Sequence, residues 1–357
     1  MIFNTFTFCG LELKNRIARS ATAERAADDN GRVSGDYLKF IERLAAGGSS
    51  LIITGHAFVE MDGANSDTMT GIHDDSVIDG HRAVAEAVHK HNSKIFMQIS
   101  HCGRQSGFVK SGKAPGAPSA VQAPGCLPPR EFTENEIEQL IKQFVDAAIR
   151  VKKSGYDGVQ LHGAHGYLIS QFVSPYSNRR TDSWGGSYEN RFRFVKEIIT
   201  GIKKEMPTFP LIIKWNSEDF IDGGLTQYES LRMVFDMEAL GLDGIEISGG
   251  IFESSGKICR RHIKSANDEG YFAEFAKKLK DSGLKIPIIL VGGFRTLEIM
   301  ERVLKNGSAD LISMSRPLVR EPELPNRLKD SPEYRSTCVS CNSCLLKKDR
   351  LTRCYKL

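Results

Sequence analysis

Residues 285–316 read KIPIILVGGFRTLEIMERVLKNGSADLISMSR. Two short runs rich in Ile, Leu and Val, Pro287–Val291 and Asp310–Met314, flank Leu297–Asn306, whose apolar residues recur at helical spacing. Gly307 stands where that helix should stop, because glycine readily takes the left-handed conformation that closes a helix. Near-continuous apolar runs of this length suit strands buried on both faces. Strand, helix and strand in one short stretch is the β-α-β unit of a parallel sheet.

The same unit recurs outward along the chain. Further strand-like runs fall at Arg16–Ser20, Leu51–Gly55, Lys94–Ser100, Asp157–His162, Leu211–Trp215 and Gly244–Ser248, making eight. Helical patterns fill the gaps at Asp36–Ala46, Val77–His91, Thr133–Ser154, Glu189–Met206, Gln227–Leu240 and Tyr271–Ser282. Thr133 and Glu136 make a capping box, in which each side chain satisfies a backbone N–H near the helix start. Eightfold alternation predicts an α/β fold, a single (β/α)8 TIM barrel. A doubly wound open sheet competes, but its G-x-G-x-x-G fingerprint between strand and helix is missing. The predicted organisation is a barrel over residues 1–330 and a short Cys-rich C-terminal tail over 331–357. The Gly-, Pro- and Ala-rich segment 102–130 reads as a long loop over the barrel mouth.

The chain has 357 residues, 40% of them hydrophobic and 26% charged, enough apolar material for one large core. Its net charge of +4, from 48 basic and 44 acidic residues, gives no electrostatic reason to expect nucleic acid or an anionic membrane as partner. No run approaches the roughly 18 apolar residues of a membrane span. The opening MIFNTFTFCG lacks the basic and apolar regions of a secretory signal, so the expected location is cytoplasmic. A homo-oligomer is compatible with the sequence. Four of the eight cysteines, Cys338, Cys341, Cys344 and Cys354, crowd the tail. In a reducing compartment that suggests metal or redox chemistry before disulfides. A [4Fe–4S] cluster is the first reading of C-x2-C-x2-C with a distant fourth Cys. Zinc is the second, and a metal-free remnant is the third.

In this fold, catalytic residues sit at the C-terminal ends of strands. The residues there are Ser20, Ala21 and Thr22; Gly55; Gln98 and His101; His162, His165 and Tyr167; Lys214; Gly292 and Gly293; and Ser315 and Arg316. The set suits a flavin phosphate ester. Gly292 and Gly293 let backbone N–H groups approach an anion, and Arg316 offers it a charge-assisted bond. Gln98 both donates and accepts, as the uracil-like edge of a flavin requires. Lys214 places positive charge where a reduced flavin needs it. In LHGAHGYLISQF, residues 161–172, His162 and His165 can hold a substrate oxygen and Tyr167 can deliver a proton. A zinc pair is the competing reading of His-x-x-His. It is disfavoured because the other strand ends carry Gln98, Lys214 and glycines in place of carboxylates. The basic stretch KICRRHIK, 257–264, reads first as a solvated charge run and second as a contact for an anionic group.

LKNRIARSAT (13–22), FMQISHCGRQ (96–105), the long stretch GYDGVQLHGAHGYLISQFVSPYSNRRTDSWGGSYENRFRF (155–194), PIILVGGFRT (287–296) and SMSRPLVREPEL (313–324) together resemble the old yellow enzyme family of NADH:flavin oxidoreductases. The resemblance runs from about Phe6 to Asn326. It implies FMN, with NADH or NADPH as reductant, and an α,β-unsaturated carbonyl as small-molecule substrate. By the same resemblance, Ser20, Ala21, Thr22 and Gly55 would line the flavin ring and Gln98 its pyrimidine edge. His162 and His165 would grip the substrate, Tyr167 would donate the proton, and Lys214 would lie near the N1–C2 edge. Gly293, Ser315 and Arg316 would hold the phosphate. Ala23 stands where family members often carry Cys or Thr. The cysteine tail resembles the branch of 2,4-dienoyl-CoA reductase and trimethylamine dehydrogenase. That likeness makes a flavin/iron–sulfur subunit, passing electrons to a separate electron-transfer protein, the alternative to an ene-reductase.

Overall fold

A computed structural model describes residues 1–347 and 350–356. Eight parallel strands form its centre: β1 (Ile17–Arg19), β2 (Leu51–Ile53), β3 (Lys94–Ser100), β4 (Gly158–Gly163), β5 (Leu211–Asn216), β6 (Gly244–Ser248), β7 (Ile288–Val291) and β8 (Leu311–Met314). Each pairs with its neighbours in chain order. β8 pairs with β1 and β2 with β3, so the sheet closes on itself as the expected (β/α)8 barrel. The principal helices are Gly35–Ala46, Ile78–His89, Glu134–Lys153, Tyr188–Glu205, Gln227–Ala239, Ala273–Asp281 and Leu297–Lys305. The Thr133–Glu136 capping box is formed in both directions.

Side chains alternate along a strand with period two. One set, including Ile52, Met97, Leu161, Ile213, Ile247, Leu290 and Ile312, packs outward under the helices. The other set points into the barrel, and its character changes along the axis. Near the strand starts it is apolar: Leu51, Ile53, Phe96, Ile212, Ile289 and Leu311. Two residues further along it becomes polar, with Gln98, Gln160, Lys214, Glu246 and Ser313 all buried. At the C-terminal ends it presents His162, Asn216 and Ser248. The sequence pattern thus builds an apolar floor beneath a polar site.

Several elements lay outside the sequence reading. An antiparallel hairpin, Phe6–Phe8 with Leu11–Leu13, drives Phe8 and Leu13 into the apolar floor and closes the N-terminal mouth. A helix, Leu168–Val173, follows β4 within the stretch read only as site residues. Two short helices that the sequence reading did not mark, Arg316–Arg320 and Leu324–Asp330, follow β8. The segment 102–130 is largely irregular, with a 3-10 turn at Gly103–Gln105 and a two-residue pairing of Gly116–Ala117 with Arg130–Glu131. No helix among the described residues is long and apolar enough to cross a membrane.

Candidate active site

A cleft partly open to solvent lies at the C-terminal face. Ser20, Ala21, His165, Lys214, Gly293, Ser315 and Arg316 line it, together with Ser248, Cys259, Tyr271 and Arg295. These come from the ends of β1, β4, β5, β6, β7 and β8. Thr22, Gly55, Gln98, Gly292, His162 and Tyr167 are not in that wall and lie around it.

Lys214 is buried with Nζ 2.9 Å from Ser20 Oγ and 3.3 Å from a Glu246 carboxylate oxygen. Glu246 also accepts from Gln160 Nε2 at 3.0 Å and from Ser313 Oγ at 2.8 Å. Gln98 Nε2 donates to Gln160 Oε1 at 2.7 Å. The barrel thus holds a buried carboxylate that a reading of the strand ends alone does not reach. Glu246 was overlooked because it sits inside the apolar run GIEIS (244–248), not at its end. Its parity points it inward, opposite Lys214 in the β5–β6 register. A lone acid in an otherwise apolar strand was the available signal.

The reacting groups gather beside the cavity. Ring centroids of His162 and Tyr167 are 4.6 Å apart, and those of His162 and His165 are 5.3 Å apart. A residue the sequence reading missed, His56, completes the cluster at 5.0 Å from Tyr167 and 5.7 Å from His162. It directly follows Gly55, so the strand-end rule applied one residue further would have found it. Its Nδ1 is buried with no hydrogen-bond partner among the described residues. His165 takes a left-handed backbone (φ 63°), held by its N–H donating to Asn216 Oδ1 at 3.2 Å. Its Nε2 lies 2.7 Å from Ser248 Oγ. Gln105 pins the same turn by donating to the His165 and Gly166 carbonyls. Ala164 N–H approaches His162 Nδ1 at 3.4 Å, an arrangement that places the imidazole proton on Nε2.

Burial sets the protonation states. It lowers His56 to about 4 and His165 to about 3. It lowers His162 well below the ordinary value, assisted by neighbouring His165, His56 and Lys214. Burial also raises the Tyr167 hydroxyl, assisted by Cys102 and opposed by a hydrogen bond with Asn65. Near neutral pH the cluster therefore holds three neutral imidazoles and one protonated phenol.

At the opposite end, Gly293 has φ 78°, and a Cβ there would come within 2.9 Å of the Tyr271 ring. Gly292 is packed against the backbone of Gly270 and Tyr271. Thr22 Oγ1 and Ser315 Oγ are 2.7 Å apart. Two buried arginines, Arg316 and Arg295, border the cavity. The Arg295 guanidinium is engaged by Phe294, Cys338 and Ser340, which leaves Arg316, close backbone approach and a hydroxyl to fit a phosphate monoester, while the polar layer of Lys214 and Gln98 fits a flavin's heteroatom edge. Of the basic stretch 257–264, Arg260 stacks on Tyr271 with its guanidinium 4.5 Å from the ring centroid. Lys257, Arg261, His262 and Lys264 are exposed.

Cys338, Cys341, Cys344 and Cys354 line one small pocket together with Arg316 and Arg320. Burial and the neighbouring Cys338 push Cys344 up to about 11, while a contact with Ser343 lowers Cys341. Among the described residues, no three His, Cys, Asp or Glu side chains stand ready-made at metal-ligand spacing. The tail is fixed to the barrel through Glu321, which accepts from Tyr334, Ser336 and Thr337. Thr352 N–H donates to the Glu24 carbonyl at 2.7 Å, behind β1.

The model of the NADH:flavin oxidoreductase / NADH oxidase family matches residues 1–333. An NADH oxidase of Thermoanaerobacter brockii is 37% identical over 346 residues, covering 96% of this chain and 52% of the relative. An NADPH dehydrogenase of Clostridium acetobutylicum is 33% identical, covering 90% of this chain and 92% of its own length. A solved 2-naphthoyl-CoA reductase in complex with 2-naphthoyl-CoA superposes with a TM-score of 0.90 at 30% identity, covering 96% of this chain and 54% of that one. The chain spans about half the length of the first curated relatives it matches. It belongs to the NADH:flavin oxidoreductase / NADH oxidase family, FMN-using and NAD(P)H-linked oxidoreductases of the old yellow enzyme type.

Proposed function

We propose that this protein reduces the C=C bond of α,β-unsaturated carbonyl compounds. The observation that carries the reading is the cluster of Tyr167, His162, His165 and His56 beside a cavity suited to a flavin phosphate ester. FMN, when bound, would supply hydride taken from NADH or NADPH. Ser20, Ala21, Thr22 and Gly55 would border its ring, Gln98 and Lys214 its heteroatom edge, and Gly292, Gly293, Ser315 and Arg316 its phosphate. The protein's own residues do the rest. His162, with its proton on Nε2, donates to the carbonyl oxygen and stabilises the charge that develops there. His165 shares that role from the cavity wall, its ring fixed by Ser248. Tyr167, held protonated by burial, delivers its proton to the α-carbon. The relative named for 2-naphthoyl-CoA supports conjugated thioesters among the substrates.

The test is transient kinetics of the Tyr167→Phe protein. Flavin reduction by the nicotinamide should stay close to wild type. Reoxidation by an enone should slow by about 10²–10⁴-fold, the usual contribution of general acid catalysis. Unchanged enone turnover would sink the proton-donor role.

A second reading rests on a separate observation: the pocket of four tail cysteines shares Arg316 with the cleft at the C-terminal face. In it, Cys338, Cys341, Cys344 and Cys354 would hold a [4Fe–4S] cluster, which would supply electron transfer to a partner protein. Anaerobic purification with iron and sulfide analysis decides between the readings. Iron and sulfide in equal amounts are expected; stoichiometric zinc, or free thiols without iron, defeats it.

A further inference from the structure

Asn342 lies between Cys341 and Cys344 in the tail, yet its side chain reaches the cavity's phosphate end. It is buried, with a left-handed backbone (φ 64°). Its Oδ1 accepts from Arg316 Nη1, and its Nδ2 donates to the Cys259 carbonyl at 2.9 Å. The same Arg316 Nη1 donates to the Arg260 carbonyl at 2.9 Å. Both Nη1 hydrogens are therefore committed, one to the tail and one to the loop after β6. A guanidinium is planar, so fixing Nη1 from two directions fixes the aim of the remaining N–H groups. The structure gives Nε and Nη2 of Arg316 no partner among the described residues.

A purely local role does not account for this side chain. Asn342 precedes the short helix Ser343–Leu346, but its side chain makes no capping bond to it. The backbone carbonyl alone accepts from Leu345 and Leu346. The amide instead joins three separate pieces of chain: the tail, the loop at Cys259–Arg260 and the start of Arg316–Arg320.

We propose that Asn342 is a cofactor-positioning residue, holding the Arg316 guanidinium in the orientation that receives the flavin phosphate. This rests on the reading of Arg316 as the phosphate contact. Through Asn342 the conformation of the cysteine segment is transmitted to the cofactor site without any electron transfer.

The test compares two flavins on the full chain after flavin removal, following fluorescence quenching during titration. Riboflavin lacks the phosphate and FMN carries it. Asn342→Gly keeps the left-handed backbone and removes only the amide. It should weaken FMN binding about tenfold, the size expected for a hydrogen bond involving a charged group, and leave riboflavin binding unchanged. Unchanged riboflavin affinity also reports intact folding. In the Arg316→Ala background the Asn342→Gly substitution should have no additional effect, because both act on one interaction. Unaltered FMN affinity, equal losses for the two flavins, or independent losses in the double variant would overturn the proposal. Full FMN affinity in Arg316→Ala alone would overturn the phosphate reading beneath it, a separate outcome.

Discussion

The polar layer inside the barrel and the phosphate end of the cavity lie side by side and are built in opposite ways. Gln98, Gln160, Lys214, Glu246 and Ser313 stand on five strands, aimed inward by side-chain parity and placed opposite one another by strand register. The phosphate end takes Gly293 and Arg295 from after β7, Arg316 from after β8, carbonyls from after β6 and Asn342 from the tail. The first region cannot shift without the barrel shifting. The second can loosen piece by piece. Damage to the polar layer should therefore appear as lost folding stability, and damage to the phosphate end as lost cofactor.

The strongest way to break that contrast is Glu246→Ala. It leaves Lys214 buried beside Ser20 with no carboxylate. Removing one partner of a buried ion pair typically costs about 3–5 kcal/mol. Denaturant unfolding should show that loss, and Lys214→Met in the same protein should recover much of it. A stable Glu246→Ala protein that merely releases flavin would refute the distinction.

A pH titration sharpens the contrast next. His56 titrates at about 4 and His165 at about 3 in the folded protein, against about 6.5 in an unfolded chain. The unfolded chain thus takes up protons that the folded one refuses as pH falls below 6.5. Their stabilisation is complete above that pH and is lost on the way down to the folded values. For His56 the loss is on the order of 3 kcal/mol by pH 4. Thermal unfolding measured from pH 7 to 4 should fall more steeply in wild type than in His56→Gln. Identical slopes would mean that His56 is not buried as described.

The smallest expected effect is at His162. His162→Ala removes one neutral hydrogen bond to a substrate oxygen, worth about 0.5–1.5 kcal/mol. Dissociation constants of an enone, read from flavin absorbance, should rise by roughly 2–10-fold.

Where the sequence was readable, one local rule was enough. Apolar runs with intervening helical spacing gave the eight strands, and Thr133 with Glu136 marked a helix start that the structure forms. The candidate residues at strand ends do gather around one cavity. What stayed hidden depends on relations between distant segments. Nothing near Glu246 says that Lys214 faces it, since that follows from the register of two strands whose paired residues lie 32 apart in sequence. Asn342 looks like a spacer between cysteines, and only the path of the tail brings it to Arg316. His56 was missed for a different reason: it lies in the loop three residues beyond the strand Leu51–Ile53, just past the last position taken as the strand end, Gly55.

The hairpin at the start of the chain has a kinetic consequence. With Phe8 and Leu13 set into the apolar floor, the N-terminal mouth is filled and the cavity is reached from the C-terminal face. In the reaction proposed above, reductant and oxidant would approach one flavin from that same face and take turns there. Two-substrate initial-rate plots are then expected to be parallel lines, with each substrate inhibiting competitively against the other.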